Sequence, residues 1–397
     1  MRAAEPGAVQ DVELPLDFSS IEGAARIAVA VSGGSDSLAL LMLTKDWARG
    51  QTVTAVTFDH GLRPESFDEA QWVGAVCRRL GIAHVILSAH SAPQSGIQAW
   101  ARQARYDALT AWCFQNDHGI LLTGHTLNDQ AETVAMRRMR TDSRASLAGI
   151  WPNLLWNGVQ IVRPLLGARR GQLRQFLERM GQDWLEDPSN DNPQFERVRV
   201  RQALGETEIA PLGAVAAGHQ TAVSDLLVQA CDWRELHVAS HSEGYFSISR
   251  DSIAAVGDDL LATIIDGLTL ALTRQRPKTS NARNRLTQWV RSTGSSRTTL
   301  CGVIICRRAK DVLFAREFGR ISTDQVIIPP SGQVLWDNRF MVTAAPGGHI
   351  RARGMRLKAD RKRGVPAFVC DTTPCVVDEF GQPLGFSAIF CPHVQFS

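Results

Sequence analysis

RIAVAVSGGSDSL, residues 26–38, is the segment that most strongly indicates the fold. Residues 27–31 are an unbroken apolar run, which is typical of a strand buried on both faces. A short turn of Gly and Ser follows, and an amphipathic helix begins directly after it. A Gly-rich turn between a buried strand and a helix opens a βαβ unit, so the sequence predicts a parallel sheet.

After this segment, short apolar runs alternate with helical stretches as far as residue 139. The predicted strands are 26–31, 53–58, 83–87 and 120–123, and the predicted helices are 38–47, 65–80, 97–115 and 127–139. This alternation predicts an α/β fold with a parallel sheet in an N-terminal domain, residues 1–205. We expect a mostly helical domain over 206–320, with a strand pair near its end, and a small β-rich module over 321–397.

The bulk composition excludes several classes of protein. The net charge is +3, so a nucleic-acid partner has to be argued from local basic clusters. The sequence contains no apolar run of the length that spans a bilayer and no apolar segment of the signal-peptide kind near its N-terminus, so we expect a cytoplasmic protein without a membrane partner. The eight cysteines form no C-x-x-C pair, which argues against a zinc or iron–sulfur site and favours free thiols.

The turn SGGSDS is the strongest candidate for a binding site. Its glycines let backbone N–H groups point at an anion, its hydroxyls add donors, and the following helix contributes its positive end. We therefore predict that the turn binds the phosphates of ATP, through Ser32, Gly33, Gly34, Ser35, Asp36 and Ser37. The alternative is an ordinary strand-to-helix turn in which Ser35 or Asp36 caps the helix.

A second polar constellation, GHTLNDQAET, leaves the fourth predicted strand and enters a helix. On a helix, His125, Asp129 and Glu132 share one face, at the sheet edge where open α/β folds bind ligands. Carboxylates there, together with Asp36, suit Mg²⁺ bound through one or two carboxylates and substrate phosphates. The alternative is that Asn128 or Asp129 caps the helix and that Glu132 is a solvated charge.

Two groups of arginines extend this pattern. Arg102 and Arg105 lie on neighbouring positions of one helix face, where arginine neutralises charge on transferring phosphates; the alternative is that they cover the helix surface. Arg197, Arg199 and Arg201 alternate, so an extended chain would project all three to one side, as phosphate contact requires. A solvated basic face is the alternative.

Together these blocks resemble the tRNA(Ile)-lysidine synthase family of the PP-loop N-type ATP pyrophosphatases. The matching blocks, over roughly residues 25–203, are SGGSDS, DHGLRPES, ARQARY, GHTLNDQAET, RPLL and WLEDPSNDNPQFERVRVR. The resemblance implies an adenine-nucleotide α-hydrolase-like fold and a ligase activity. In that activity ATP adenylates O2 of the wobble cytidine in the CAU anticodon of tRNA(Ile), and the ε-amine of free L-lysine then displaces AMP at C2.

The resemblance also implies roles for individual residues. Asp36 and Asp129 would lie near Mg²⁺, and Glu132 would orient or deprotonate the lysine amine. The implied catalytic residues are Asp36, Arg105, His125, Asp129, Glu132 and Arg201. The residues expected to contact tRNA are Arg140, Arg144 and Arg197.

The chain departs from the family pattern at two places. Where the family usually has two adjacent acidic residues, this chain has Asn128 followed by Asp129. It also has a Gly-rich R-G-S-G loop, whereas residues 140–149 read RTDSRASLAG, with Thr141, Ser143 and Ser146 in apparent glycine positions. If the loop needs positive φ there, these side chains impose backbone strain.

Three alternatives remain open at this stage. The first is another PP-loop tRNA-modifying enzyme such as a thiolase, against which the missing C-x-x-C pairs argue. The second is a small-molecule amidating synthetase, for which the sequence offers no glutaminase-like domain. The third is a non-catalytic ATP- or RNA-binding relative, suggested by the altered loop. The sequence also leaves open whether the chain works alone or as a homodimer.

Overall fold

The computed structural model describes residues 14–61, 65–89, 97–141, 143–186, 192–275, 279–322, 326–354, 357–362 and 364–391. The chain divides into two compact units, whose boundary falls between Val223 and Ser224. The expected division into three domains at residues 205 and 320 stays a prediction. Among the described residues, no helix is both long and apolar enough to cross a membrane.

Helices and strands are numbered separately, each in chain order. The helices are α1 Ser35–Trp47, α2 Ser66–Leu80, α3 Ile97–Gln115, α4 Leu127–Arg138, α5 Arg144–Leu147, α6 Arg170–Arg179, α7 Glu196–Ala203, α8 Glu206–His237, α9 Arg250–Ala255, α10 Asp258–Thr273, α11 Ser280–Arg291, α12 Lys358–Lys362 and α13 Ala367–Cys370. The strands are β1 Arg26–Ala30, β2 Thr52–Asp59, β3 Ala83–Ser88, β4 Ile120–Leu122, β5 Asn153–Trp156, β6 Val159–Val162, β7 Val238–His241, β8 Tyr245–Ser249, β9 Ser296–Leu300, β10 Val303–Arg307, β11 Asp311–Arg316, β12 Val326–Ile327, β13 Gln333–Trp336, β14 Phe340–Ala344, β15 His349–Ala352, β16 Pro374–Val377 and β17 Phe386–Phe390.

The sheet of the first unit has the strand order β3-β2-β1-β4-β6-β5 in its described part. All neighbouring pairs are parallel except β5 with β6, which confirms the predicted α/β fold and its four strands. The sequence analysis missed the β5–β6 hairpin, although its turn, Asn157-Gly158, has the φ angles of +48° and +80° that such a dipeptide favours. The strand order reverses between β1 and β4, and open α/β sheets bind ligands at such a point.

Helices cover both faces of this sheet because the central strands are apolar on both. Ile27 and Val29 of β1 are buried on one face against α1, α2 and α6. Ala28, on the opposite face, is buried in a cluster with Tyr106 and Leu109 of α3. The continuous apolar run that opened the sequence analysis is therefore the centre of the core, and the turn that follows it is held at the sheet edge.

One expectation about the chain beyond this sheet was wrong. Residues 197–201 are not extended; they form most of α7. Residues 206–237 form one long helix, α8, which contains Pro211. Within the stretch expected to be mostly helical, α9 and α10 are separate helices, since the backbone is extended at Val256 and Gly257.

The second unit contains an antiparallel sheet with the order β7-β8-β11-β10-β9. Ile264 and Leu268 of α10 pack on it, in one core with Val312 and Phe314. The stretch expected to be mostly helical therefore also supplies these strands, among them the predicted strand pair. Towards the C-terminus lie the sheets β12-β15-β16 and β13-β14-β17, as expected of a β-rich module.

Candidate active site

The predicted phosphate loop joins β1 to α1 at the sheet edge. The N-cap of α1 is Gly34, which is extended, so neither Ser35 nor Asp36 caps the helix. Inside the loop, the Ser37 hydroxyl donates to the Gly34 carbonyl at 2.9 Å and accepts from the Ser32 N–H at 3.2 Å. The loop thus has a defined conformation that does not depend on a side-chain cap, and its binding of ATP stays a prediction.

Two glycines are required by how closely this loop is packed. Gly33 has φ of +88°, and a Cβ there would lie 2.6 Å from Cδ1 of Leu185, whose N–H donates to the Gly33 carbonyl. A Cβ on Gly124 would lie 3.0 Å from the backbone oxygen of Asp36. The phosphate loop therefore lies in direct contact with the loop that leaves β4, which brings the two predicted motifs together.

The second motif begins α4 with a capping box. Thr126 is the N-cap, and Oδ2 of Asp129 accepts hydrogen bonds from its N–H at 2.8 Å and its hydroxyl at 2.9 Å. The capping alternative is thus correct in part, because one oxygen of Asp129 closes the cap. The expectation that His125 shares a helical face with Asp129 and Glu132 was wrong, because His125 precedes the helix.

Three carboxylates and three guanidiniums meet beside the phosphate loop. The carboxylates are Asp36, Asp129 and Glu132, and the guanidiniums are Arg170, Arg197 and Arg201. Arg197 and Arg201 are one turn apart on α7, and their Nε atoms donate to Glu132 at 2.6 and 2.7 Å. Only 2% of the Glu132 side chain is exposed, so it is not a solvated charge. The formal charges of the six groups cancel.

Arg170 is the member of this cluster that the sequence analysis missed. Its Nε donates to Oδ2 of Asp36 at 3.0 Å and its Nη2 to Oδ1 of Asp129 at 3.1 Å, so one guanidinium joins the two motifs. Its backbone N–H, at the start of α6, donates to Oδ1 of Asn128 at 2.9 Å. The available signal was its position shortly after the RPLL block, but without a predicted helix there the residue had no assigned face.

Burial sets the electrostatics of Asp36. It raises the pKa of this carboxyl above its ordinary value, the Arg170 guanidinium opposes that rise, and the Asp129 charge adds to it. The pKa of Asp36 is raised overall. The ionised form of Asp36 therefore depends on a nearby cation, since burial and a like charge both favour the protonated form.

His125 lies half-buried among cations. Burial lowers the pKa of its imidazole well below the ordinary range, and the guanidiniums of Arg163 and Arg105 lower it further. Its Nδ1 lies 3.1 Å from the hydroxyl of Thr123. The imidazole is therefore neutral at neutral pH, and it is able to accept a proton or a hydrogen bond but is not charged in the resting site.

Arg105 lies on α3, close enough to His125 for its charge to act on the imidazole. Its Cζ is 5.3 Å from the ring centroid of Tyr106, a cation–π distance. Among the described residues, the buried Nε of Arg105 has no hydrogen-bond partner. Arg163, whose Nη1 donates to the Trp151 carbonyl at 2.6 Å, completes a cationic region next to the carboxylate cluster.

The altered loop carries no strain of the kind that was expected. Ser143 has φ of −63°, and Thr141 and Ser146 are not among the described residues with positive φ. Gly149 supplies the positive φ, +66°, and a Cβ there would lie 2.4 Å from Oε1 of Gln130. The side chains in the apparent glycine positions are therefore tolerated by the backbone.

Hydrogen bonds from α4 fix this loop. Arg137 donates to the carbonyls of Ser146 at 2.7 Å and Gly149 at 2.9 Å. Arg140 forms an ion pair with Glu196 of α7. The expected tRNA contacts of Arg140, Arg144 and Arg197 stay predictions.

The carboxylates of the cluster are candidates for binding a divalent cation. Among the described residues, no group of three or more His, Cys, Asp or Glu side chains is arranged to hold a metal ion. Asp36 and Asp129 nevertheless bind one shared cation, the guanidinium of Arg170, at about equal distances of 3.0 and 3.1 Å. Two such carboxylates fit a magnesium ion that takes its remaining ligands from phosphates and water.

Comparisons with known proteins agree with this geometry. Residues 10–208 match the family model of the PP-loop domain, which defines the class of the first unit. The chain is 39% identical to the tRNA(Ile)-lysidine synthase of Hyphomonas neptunium, over 74% of this chain and 82% of that one. It is 35% identical to that of Rhizobium meliloti (92% and 84%) and 33% identical to that of Ruegeria pomeroyi (88% and 86%). The chain belongs to the tRNA(Ile)-lysidine synthase family.

A solved structure resembles about half of the chain. The U34-tRNA thiolase NcsA from Methanococcus maripaludis aligns with 52% of this chain and 75% of its own, at 18% identity and a TM-score of 0.45. At that TM-score the likeness adds nothing to the family assignment.

Proposed function

We propose that this chain is a ligase that attaches lysine to the wobble cytidine of tRNA(Ile) with a CAU anticodon. In the first step, O2 of the cytidine attacks the α-phosphorus of ATP and pyrophosphate leaves. In the second, the ε-amine of free L-lysine attacks C2, the bond from C2 to the adenylated oxygen breaks, and AMP leaves. The proposal adds a substrate and a reaction to the family assignment. It is supported by the relatives, which are named as tRNA(Ile)-lysidine synthases.

One observation carries the proposal: the phosphate loop and the motif after β4 meet at the point where the strand order reverses. The contact between Gly124 and the Asp36 backbone holds them together. Ser32–Ser37 would bind the ATP phosphates through backbone N–H groups at the start of α1. Arg105, in the adjoining cationic region, would stabilise charge on the phosphates as it develops.

Asp36 and Asp129 are the residues that would hold Mg²⁺ together with the phosphates. When bound, the ion would neutralise phosphate charge. Asp129 is suited to this because its two oxygens have separate tasks: Oδ2 closes the cap of α4, while Oδ1 faces the cations. The side chain is thereby fixed in orientation before substrates arrive.

Glu132 and His125 would act on the lysine amine. Glu132 is buried and held by two arginines whose side chains are about one third exposed, 36% and 32%. An arginine that turns toward a phosphate would free a carboxylate oxygen to accept an amine N–H. Glu132 would take the amine proton, as attack requires an uncharged amine, and the neutral imidazole of His125 would accept a hydrogen bond.

Reconstitution tests the proposal. The purified chain, ATP, Mg²⁺, lysine and a tRNA(Ile) transcript with the CAU anticodon should give a nucleotide of cytidine-plus-lysine mass and one pyrophosphate per tRNA. A transcript with UAU in the anticodon is the control. Asp129→Asn should abolish pyrophosphate release while leaving the fold intact, whereas Asp46→Asn, an exposed carboxylate on α1, should not.

The outcomes separate the alternatives. Pyrophosphate released with tRNA but without a lysine adduct would indicate another PP-loop modification. Binding of ATP and tRNA without pyrophosphate release would indicate a non-catalytic relative. Mass spectrometry of isoleucine tRNA from cells depleted of this protein provides an independent measurement, because the lysine-bearing cytidine should disappear.

A further inference from the structure

Arg170 differs from the other two arginines of the cluster in how it is held. It is the first residue of α6, and this helix is anchored in the core through Leu173 and Leu177, which are fully buried with residues of α1. Its backbone N–H is bound to Asn128 of α4. The base of the Arg170 side chain is therefore fixed relative to both motifs, and only 18% of the side chain is exposed.

The guanidinium of Arg170 lies where the carboxylates of the two motifs face each other. It bonds to Asp36 and Asp129 through different nitrogens. Both carboxylates lie about 3 Å from this one guanidinium, so their charges repel each other and a cation between them offsets that repulsion. The site has such a cation built into the chain.

We propose that Arg170 is a positioning residue that acts as an internal cation: it holds Asp36 and Asp129 ready for the metal and gives up that place when the metal arrives with ATP. This inference rests on the proposed use of Mg²⁺ and ATP. Arg170 is not assigned contact with the reacting atoms.

The position of Glu132 explains how Arg170 can leave without becoming an unpaired charge. Nη1 of Arg170 lies 3.5 Å from Oε1 of Glu132, beyond a good hydrogen bond but within ion-pair range. A small shift of the guanidinium away from Asp36 and Asp129 brings it onto Glu132. Glu132 is also the partner of Arg197 and Arg201, so the shift releases one of these arginines toward the substrates.

Metal binding without nucleotide tests the proposal directly. In the intact chain, Mn²⁺ alone must compete with a guanidinium about 3 Å from each carboxylate, so it should bind weakly. Arg170→Gln removes the guanidinium that both carboxylates share and leaves Arg197 on Asp129 at 2.9 Å, and free Mn²⁺, titrated by electron paramagnetic resonance, should bind at least about tenfold more tightly. Arg170→Lys keeps the charge and should not gain. Adding Asp36→Asn to Arg170→Gln should remove the gain.

A matched control lies one turn along the same helix. Arg174 pairs with Glu186 at 3.0 Å and does not take part in the carboxylate cluster. Arg174→Gln should leave Mn²⁺ binding unchanged. A merely structural role for Arg170 predicts an equal or weaker Mn²⁺ affinity in Arg170→Gln, and either result would overturn the proposal.

A measurement on the unaltered chain covers the case in which Arg170→Gln does not fold. A crystal structure with Mn²⁺ and a non-hydrolysable ATP analogue should show the Arg170 guanidinium more than 4 Å from Asp36 and bonded to Glu132. A guanidinium still bonded to both Asp36 and Asp129 would overturn the proposal. Neither experiment uses lysine or tRNA, so failure here is distinguishable from failure of the proposed ligase activity.

Discussion

Replacing Glu132 by alanine removes the carboxylate on which the arginines of the cluster converge. Arg197 and Arg201 lie 2.6 and 2.7 Å from its oxygens, and 2% of its side chain is exposed. Removing one partner of a buried ion pair costs about 3 to 5 kcal/mol, because the remaining charge has lost its counter-ion as well as its water. Both arginines are about one third exposed and can turn toward solvent, and Arg197 keeps its second ion pair, with Asp129 at 2.9 Å, so we expect the lower end, about 3 kcal/mol.

Scanning calorimetry measures this loss. A change of 1 kcal/mol shifts the unfolding midpoint of a unit of this size by about 2–4 °C, so the transition of the first unit should fall by about 6–12 °C. Glu196→Ala is the control, because its pair with Arg140 is largely exposed and is worth at most about 1 kcal/mol. The difference should persist at high salt, since buried pairs are poorly screened. A fall no larger than that of Glu196→Ala would refute the reasoning.

Three further predictions concern the loops and the unit boundary. Gly33→Ala should weaken ATP binding and cost about 1–3 kcal/mol of stability. The new Cβ would lie 2.6 Å from Leu185, and alanine would have to adopt the φ of +88°. A chain ending at Val223 should fold and bind ATP, whereas one ending at residue 210 should melt lower by circular dichroism, because it lacks part of α8 that is buried against α4. Arg140→Ala with Arg144→Ala should raise KM for tRNA and barely change KM for ATP in steady-state assays.

The chain supplies a control for each. Gly50→Ala takes a positive φ of +112° with nothing within 4 Å of its Cβ, so it should lose stability but keep its ATP affinity. Leu212→Ala tests the truncation within the full chain, since Leu212 belongs to the buried contact with α4. Arg179→Ala removes an exposed charge at the far end of α6 and should leave the tRNA kinetics unchanged. If the tRNA kinetics of the Arg140→Ala, Arg144→Ala variant are unchanged as well, the loop does not contact tRNA.

The parts of the fold that depend on local pattern could be predicted from the sequence. β1 and β4 are short apolar runs before Gly-containing turns, and the rule for parallel sheets then places Asp36 and Asp129 at one edge. Arg170 could not be found in this way, because it meets Asp36 across 134 residues of chain. RVRVR was assigned the wrong period, since its alternation fits a strand while the contacts of Arg197 and Arg201 require a helix.

The departure at Asn128 also has a structural explanation. Its Oδ1 accepts the first N–H of α6, so the side chain joins two helix starts and its acceptor is already in use. If position 128 is structural, Asn128→Asp should keep this bond, because a carboxylate oxygen also accepts an N–H and is favoured at a helix N-terminus.

We therefore expect Asn128→Asp to change the Mg²⁺ concentration that gives half-maximal pyrophosphate release by no more than about twofold, as an added, partly exposed charge contributes little. Thermal unfolding of the variant provides the control for folding. If position 128 is instead a missing ligand, the added carboxylate should lower that concentration by about tenfold or more, which corresponds to about 1.4 kcal/mol of metal affinity. That result would show that Asn128, in place of the family's acidic residue, weakens a metal site. The hydrogen bond from Arg170 would then not explain why position 128 is Asn.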